Sequence, residues 1–150
     1  MNQNSDFALV ASTVFARIEG LKACVDVGGT KVAVSIASAA GIHGRVVEPT
    51  VKEGACDALG QQLLRLIDES CRLAGHPVAR VTAVGVSSCG PFVLREGLIE
   101  LAAPSVCVGI AGPARGLPNN WTSAILEAPL RARFGAVRVA NDGIDRKSVV

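Results

Sequence analysis

The chain has 150 residues, of which 49% are hydrophobic and 19% charged, and a formal net charge of +2. That size and composition suit one domain with a packed core and argue against disorder. Basic and acidic residues are interspersed without a basic stripe, so neither a nucleic acid nor a membrane is predicted as a partner. The five cysteines form no Cys-x-x-Cys pair, which is typical of buried thiols in a reducing compartment and predicts a cytoplasmic location.

Residues 1–21 precede the first predicted strand and carry apolar residues at roughly helical spacing. This pattern predicts a short helix or a loose leader. The apolar run is interrupted by Ser12 and Thr13, is too short to span a bilayer, and follows an opening stretch without positive charge. A signal peptide is therefore not predicted.

The turn Gly-Gly-Thr-Lys lies between two runs of β-branched residues, which predicts a β-hairpin. Gly28 and Gly29 have no Cβ, so a polyphosphate could approach the backbone N–H groups closely. Thr30 and Lys31 offer a hydroxyl and a cation to the same anion, while Asp26 is placed to hold a hydrated Mg²⁺. An ordinary tight hairpin is the alternative, and the complete unit Asp-x-Gly-Gly-Thr-Lys favours the phosphate site.

The next predicted elements are a turn at 41–44, a third antiparallel strand at 45–49 and a helix at 53–74 that ends at Gly75. His43, in the turn, is interpreted as a solvated side chain. The helix is predicted from one apolar stripe, which contains Ala55, Leu59, Leu63, Leu66, Ile67 and Cys71.

Residues 81–87 form a continuous run of small and apolar residues, which predicts a central strand covered on both faces. The small-residue loop Ser88-Cys89-Gly90-Pro91 follows, with a plain strand-ending turn as its alternative. A β-ribbon is predicted over 92–94 and 98–101, turning at 95–97.

The stretch before the last strand predicts a helix that begins near Thr122. Asn119 or Asn120 could hydrogen-bond a hydroxyl group of a ligand or act as the N-cap of this helix. The last predicted strand, 137–140, delivers Asn141 and Asp142 to the C-terminal edge of a parallel sheet, where ligands bind in such folds.

In isolation, Asn-Asp-Gly favours a turn, but the hairpin upstream favours a site. Asp142 is the candidate general base, because phosphoryl transfer to a hydroxyl needs a carboxylate that orients the nucleophilic oxygen and accepts its proton. Asn141 would hold a neighbouring hydroxyl.

Three segments of the chain, 23–36, 81–91 and 137–142, resemble the ROK family (repressors, open reading frames and kinases) of the sugar kinase, actin and Hsp70 superfamily. The likeness covers about residues 22–143. The resemblance implies an α/β fold: a ribonuclease H-like (actin-like ATPase/sugar kinase) lobe with a mixed five-stranded sheet flanked by helices. The expected strand order is 3-2-1-4-5.

The resemblance further implies ATP-dependent phosphorylation of a sugar hydroxyl, of glucose or another hexose, with ATP and Mg²⁺ as cofactors. The small-residue loop then lines the sugar side of the cleft, so Gly90 and Pro91 are predicted to bind substrate, Gly90 by leaving space for a hydroxylated ring. Ser105 stands where many relatives have the asparagine of Ala-Pro-Asn, which leaves the sugar open.

Two alternatives come from other classes of protein: a sugar-responsive repressor without its DNA-binding domain, and a non-catalytic sugar-binding protein. The short stretch ahead of the hairpin is too small for a helix-turn-helix domain, which favours the kinase branch. Asp26 and Asp142 speak against a scaffold, since a scaffold needs neither carboxylate.

The expected domain organisation is a leader at 1–21, an N-terminal lobe at 22–144, a non-native tail at 145–150, and a missing second lobe. Asp-Arg-Lys-Ser-Val-Val matches the translation of a common short-read sequencing adapter, which is why the tail is interpreted as non-native. The family's zinc motif and adenine site lie in the second lobe, so this fragment is predicted to be inactive. Homo-oligomerisation of the full-length parent is left open.

Overall fold

The computed structural model describes residues 20–109 and 116–142. The predicted leader, apart from its last two residues, and the predicted tail at 145–150 lie outside the described residues.

The described residues form eight strands and two α-helices. The strands are β1 (Leu21–Val27), β2 (Lys31–Ser38), β3 (Gly41–Pro49), β4 (Val81–Ser88), β5 (Phe92–Arg95), β6 (Leu98–Leu101), β7 (Ala124–Ile125) and β8 (Val137–Asn141). The helices are α1 (Ala58–Ala74) and α2 (Glu127–Arg133), and a 3₁₀ turn, Val78–Arg80, leads into β4. None of the helices in this part of the chain is long and apolar enough to cross a membrane.

The main sheet has the strand order β3-β2-β1-β4-β8. β1 pairs antiparallel with β2 and parallel with β4, and β4 pairs parallel with β8. The predicted order 3-2-1-4-5 is therefore confirmed, with β8 as the fifth strand. Val25 lies opposite Val86 and Ala23 opposite Val84, so β1 and β4 are neighbours as predicted.

The core lies on one face of this sheet, where alternate β-branched residues of the strands meet the apolar stripe of α1. Val25 and Val27 of β1 are almost completely buried there. The stripe buries Leu59, Leu63, Leu66, Ile67 and Cys71, as predicted. Each such aliphatic side chain contributes about 1.5–3 kcal/mol when it leaves water, so the packing of α1 against the sheet, chiefly against β2 and β3, is a principal source of stability.

The helix differs from its prediction at its start and on one face. It begins at Ala58 rather than at residue 53, so Ala55, predicted to belong to the stripe, lies before the helix and is exposed. Gln62, a polar residue outside the predicted stripe, is buried because the end of β3 needs polar partners. Its Nε2 donates to the Pro49 carbonyl at 2.8 Å, and its Oε1 accepts from the Val51 N–H at 3.0 Å.

The predicted turn at 41–44 is wrong, because β3 already begins at Gly41 and includes His43. The glycine that suggested a turn, Gly44, instead lies at an irregularity in the pairing of β3 with β2, between Val34 and Ile36. Its φ of +65° is a conformation that glycine adopts without a steric cost, and glycine inside a strand often marks a bulge.

The prediction that β4 is covered on both faces is also wrong for the described residues. Gly85 and Ser87 of β4 are exposed, as are Cys24 and Asp26 of β1. These residues share the face away from α1, where they line a shallow, open groove of about 500 Å³.

A second, three-stranded sheet follows in the order β5-β6-β7. The predicted ribbon is confirmed, and its turn at Glu96 and Gly97 has positive φ at both residues, as two-residue hairpin turns require.

The predicted helix near Thr122 begins instead at Glu127, because β7 pairs with β6 first. Asn119 is therefore not its N-cap. The Asn119 amide donates to the carbonyls of Lys52 (2.8 Å) and Val106 (2.9 Å), so it links separate loops of the fold.

Candidate functional site

The hairpin between β1 and β2 is a tight turn fixed from below by β3. The Gly28 N–H donates to the Lys31 carbonyl at 2.9 Å. Thr50, a buried residue after β3, donates its hydroxyl to the Gly28 carbonyl at 2.7 Å and its N–H to the Thr30 carbonyl at 3.0 Å. Sequence reasoning missed Thr50, since only the folded sheet brings it under the turn.

The same turn also contains backbone N–H groups that the described part of the fold does not use. The N–H groups of Gly29 and Thr30 donate to no acceptor among the described residues, and the side chains of Thr30 and Lys31 are exposed. Two adjacent backbone amides beside a hydroxyl and an ammonium form a site suited to an anion. The predicted phosphate residues are thus brought together, and their role stays a prediction.

Gly29 has a further neighbour that the sequence did not indicate. A Cβ built on Gly29 would lie 2.5 Å from Ser105 Oγ and 2.8 Å from Ser105 Cβ. Ser105 therefore occupies the space that a side chain at position 29 would need.

Two carboxylates lie at the C-terminal edge of the parallel strands, on the face away from α1. Asp26 on β1 is in register with Ser87 on β4. The Ser87 hydroxyl also donates a hydrogen bond to Oδ1 of Asp142, which directly follows β8. The side chains of Asp26 and Asp142 thus flank Ser87, and both are exposed.

The Cys89 thiol lies near both carboxylates. Burial raises the pKa of the Cys89 thiol, and the negative charges of Asp142 and Asp26 raise it further, against an opposing hydrogen bond with Ser88. Both carboxylates are therefore within electrostatic reach of one thiol. The Cys89 N–H donates to the Val27 carbonyl at 3.0 Å, which anchors the loop beside the hairpin.

Gly90 lies against Asn141 at the same edge. A Cβ on Gly90 would overlap Nδ2 of Asn141 and lie 3.3 Å from its Cγ. The space that Gly90 was predicted to leave for a sugar ring is thus filled by the Asn141 side chain. Pro91 is exposed, and its carbonyl accepts from the Ala102 N–H at 2.9 Å.

The donor set at this edge suits only one kind of metal site. Within residues 20–109 and 116–142, no group of three or more His, Cys, Asp or Glu side chains could hold a metal ion. Mg²⁺, however, commonly binds through one or two carboxylates and fills its other positions with water and phosphate oxygens. Asp26 and Asp142 fit such a hydrated ion.

The sheet order, the hairpin and the edge carboxylates together define one lobe of the sugar kinase/actin-like ATPase fold. No protein-family model and no curated protein matches the chain. Among solved structures, the chain is similar to the ROK hexokinase from Thermus thermophilus, with a TM-score of 0.56 and 26% identity over 81% of this chain. The resemblance to the ROK family is thereby confirmed.

A second similar structure is the glucokinase from Balamuthia mandrillaris in complex with glucose. It has a TM-score of 0.42 and 17% identity, and the match covers 94% of this chain. The chain spans 35% of the length of each of these two proteins.

Proposed function

We propose that this lobe serves in the ATP-dependent phosphorylation of a sugar hydroxyl, of glucose or another hexose, by a ROK-type sugar kinase. One observation carries the proposal. The hairpin, whose Gly29 and Thr30 amides have no acceptor among the described residues, and the Asp142 carboxylate lie at the same edge of the sheet. The likeness to a ROK hexokinase supports the kinase class.

In this proposal the hairpin residues Gly28, Gly29, Thr30 and Lys31 bind the phosphates of ATP. The amides of Gly29 and Thr30 donate to phosphate oxygens, and the Lys31 ammonium offsets their charge. Asp26 holds Mg²⁺ through water. When bound, this ion supplies positive charge to the phosphate oxygens.

Asp142 acts on the sugar. The hydrogen bond from Ser87 engages Oδ1, so Oδ2 can accept the proton of the attacking hydroxyl. Asn141 orients a neighbouring hydroxyl, with Gly90 and Pro91 beside it on the sugar side. Gly90 leaves room for the Asn141 amide, so Gly90 contributes to sugar binding indirectly, by allowing the position of Asn141.

The test is a panel of hexoses assayed for ADP release, using a longer gene product that contains this lobe. Asp142→Asn keeps the size of the side chain but cannot take a proton, so kcat should fall by roughly 10²- to 10⁴-fold with little change in sugar KM. Asp57→Asn, outside the site, is the control. A kcat for Asp142→Asn within about threefold of the parent would exclude Asp142 as the base.

The repressor and the non-catalytic alternatives are not favoured by the likeness to a hexokinase. For the 150-residue chain alone we expect no turnover, because the described site residues are open to water and the transferring phosphoryl group would not be shielded. Sugar-dependent ADP production by this chain alone would contradict that expectation.

A further inference from the structure

Ser105 lies over the phosphate hairpin although it comes from a distant loop. The 2.5 Å between its Oγ and a Cβ built on Gly29 places Oγ within about 4 Å of the Gly29 Cα. The adjoining amides of Gly29 and Thr30 donate to no acceptor within residues 20–109 and 116–142. The Ser105 hydroxyl therefore lies close to the stretch of backbone that carries these two amides.

The loop that carries Ser105 is fixed by hydrogen bonds. The N–H groups of Val106 and Cys107 both donate to the Ala103 carbonyl at 3.0 Å. The buried Cys107 thiol contacts the Leu101 carbonyl at 3.5 Å. The backbone at position 105 is therefore held in place, while the Ser105 side chain itself is exposed.

The Ser105 hydroxyl makes no hydrogen bond to any residue that the structure describes. A serine hydroxyl can rotate to donate in the direction of an acceptor. An anion seated on the Gly29 and Thr30 amides would present such an acceptor, and it would satisfy all three donors together.

We propose that Ser105 is a further phosphate-binding residue, whose hydroxyl donates to the same anion as the Gly29 and Thr30 amides. This deepens the proposed function and rests on it, since the hairpin must bind phosphate for Ser105 to contribute. The ligand class is a polyphosphate, as in the nucleotide of a phosphoryl-transfer reaction.

The experiment uses the 150-residue chain and inorganic tripolyphosphate as the probe. The amide resonances of Gly29 and Thr30 are followed by ¹⁵N–¹H correlation spectra as the probe is added. Ser105→Ala should raise the Kd by about tenfold, because a hydrogen bond to a charged acceptor is lost. Thr122→Ala removes another exposed hydroxyl, outside the site, and should leave the Kd unchanged.

Each outcome separates this inference from the proposed function. If the Gly29 and Thr30 resonances shift with a Kd that is equal within twofold in the parent and in Ser105→Ala, the inference is wrong and the hairpin remains a phosphate site. If neither resonance shifts in the parent at millimolar probe, the phosphate role of the hairpin fails, and this inference fails with it.

A second variant guards against a change in folding. Ser105→Cys keeps the shape of the side chain but has a weak donor, so it should raise the Kd nearly as much as the alanine variant. A Kd for Ser105→Cys equal to that of the parent, with the remaining resonances unshifted, would also overturn the role of the hydroxyl.

Discussion

Gly29→Ala tests the contact between the hairpin and the Ser105 loop through stability. Gly29 does not have a left-handed φ, so alanine meets no backbone penalty there. Its Cβ, however, would lie 2.5 Å from Ser105 Oγ and 2.8 Å from Ser105 Cβ, far inside ordinary contact distance. Oγ can rotate away, but Cβ moves only with the loop.

The expected cost follows from overpacking, which typically destabilises a protein by about 1–3 kcal/mol. Because Ser105 is exposed, we expect the lower half of that range, about 1–2 kcal/mol. In a chain of this length that corresponds to a fall in Tm of roughly 2–8 °C. Urea denaturation gives the free energy of unfolding directly.

A double-mutant cycle identifies the cause. Ser105→Gly removes both clashing atoms, so Gly29→Ala made in that background should cost almost nothing. The coupling energy is then about 1–2 kcal/mol, well above the few tenths found for sites that do not touch. Gly135→Ala is the matched control: no atom lies within 4 Å of its Cβ position, and its φ is not left-handed. Additive effects of the two substitutions would refute the placement of Ser105 over Gly29.

Three further outcomes can be measured on the same chain. Gly44→Ala should cost about 3 kcal/mol by urea denaturation, because a left-handed φ and overlap with a carbonyl of α1 act together, whereas Gly75→Ala, with the same φ region and open space, should cost about 1 kcal/mol. Glu48 accepts a hydrogen bond from Arg65 on α1, which lowers the pKa of the Glu48 carboxyl. This ion pair therefore stabilises the fold fully above the pKa that Glu48 has in the unfolded chain, and the stabilisation is lost as the pH falls through the lower pKa of the folded state. Glu48→Gln should remove this contribution to the pH dependence of the free energy of unfolding, which is under about 1 kcal/mol for so exposed a pair. Asp142→Asn should lower the raised pKa of the Cys89 thiol, because one of the negative charges that raise it is removed. Its alkylation at pH 8, followed by peptide mapping, should therefore become faster. An unchanged rate would contradict the proximity of the two side chains.

The main sheet could be predicted because its information is local or carried by motifs. Period-two spacing of β-branched residues marks β1 and β2, and the Gly-Gly-Thr-Lys turn between them sets their pairing. The C-terminal ends of β4 and β8 then fall at one edge, since parallel strands share their direction. The location of Asp142 followed from that topology, without knowledge of any contact.

What the sequence could not predict depends on contacts between distant segments. Residues 41–44, which include Gly44, have a sequence typical of a turn, and only the pairing of this segment with β2 makes it part of a strand. Gln62 has the polarity of a surface residue, and only the unpaired end of β3 explains its burial. Ser105 lies in a loop without periodicity, so nothing local places it over Gly29.

The negative charges of Asp26 and Asp142 affect the free energy of covering this edge of the sheet with protein. Asp26 and Asp142 lie on one face on either side of Ser87, and neighbouring strands are about 5 Å apart. In water, like charges at such separations repel by only about 1 kcal/mol or less, since the dielectric constant is high. Covering this edge with protein lowers the effective dielectric constant about fourfold and raises the repulsion in proportion. A cation between the carboxylates offsets that repulsion, so closure over this edge and cation binding should each favour the other.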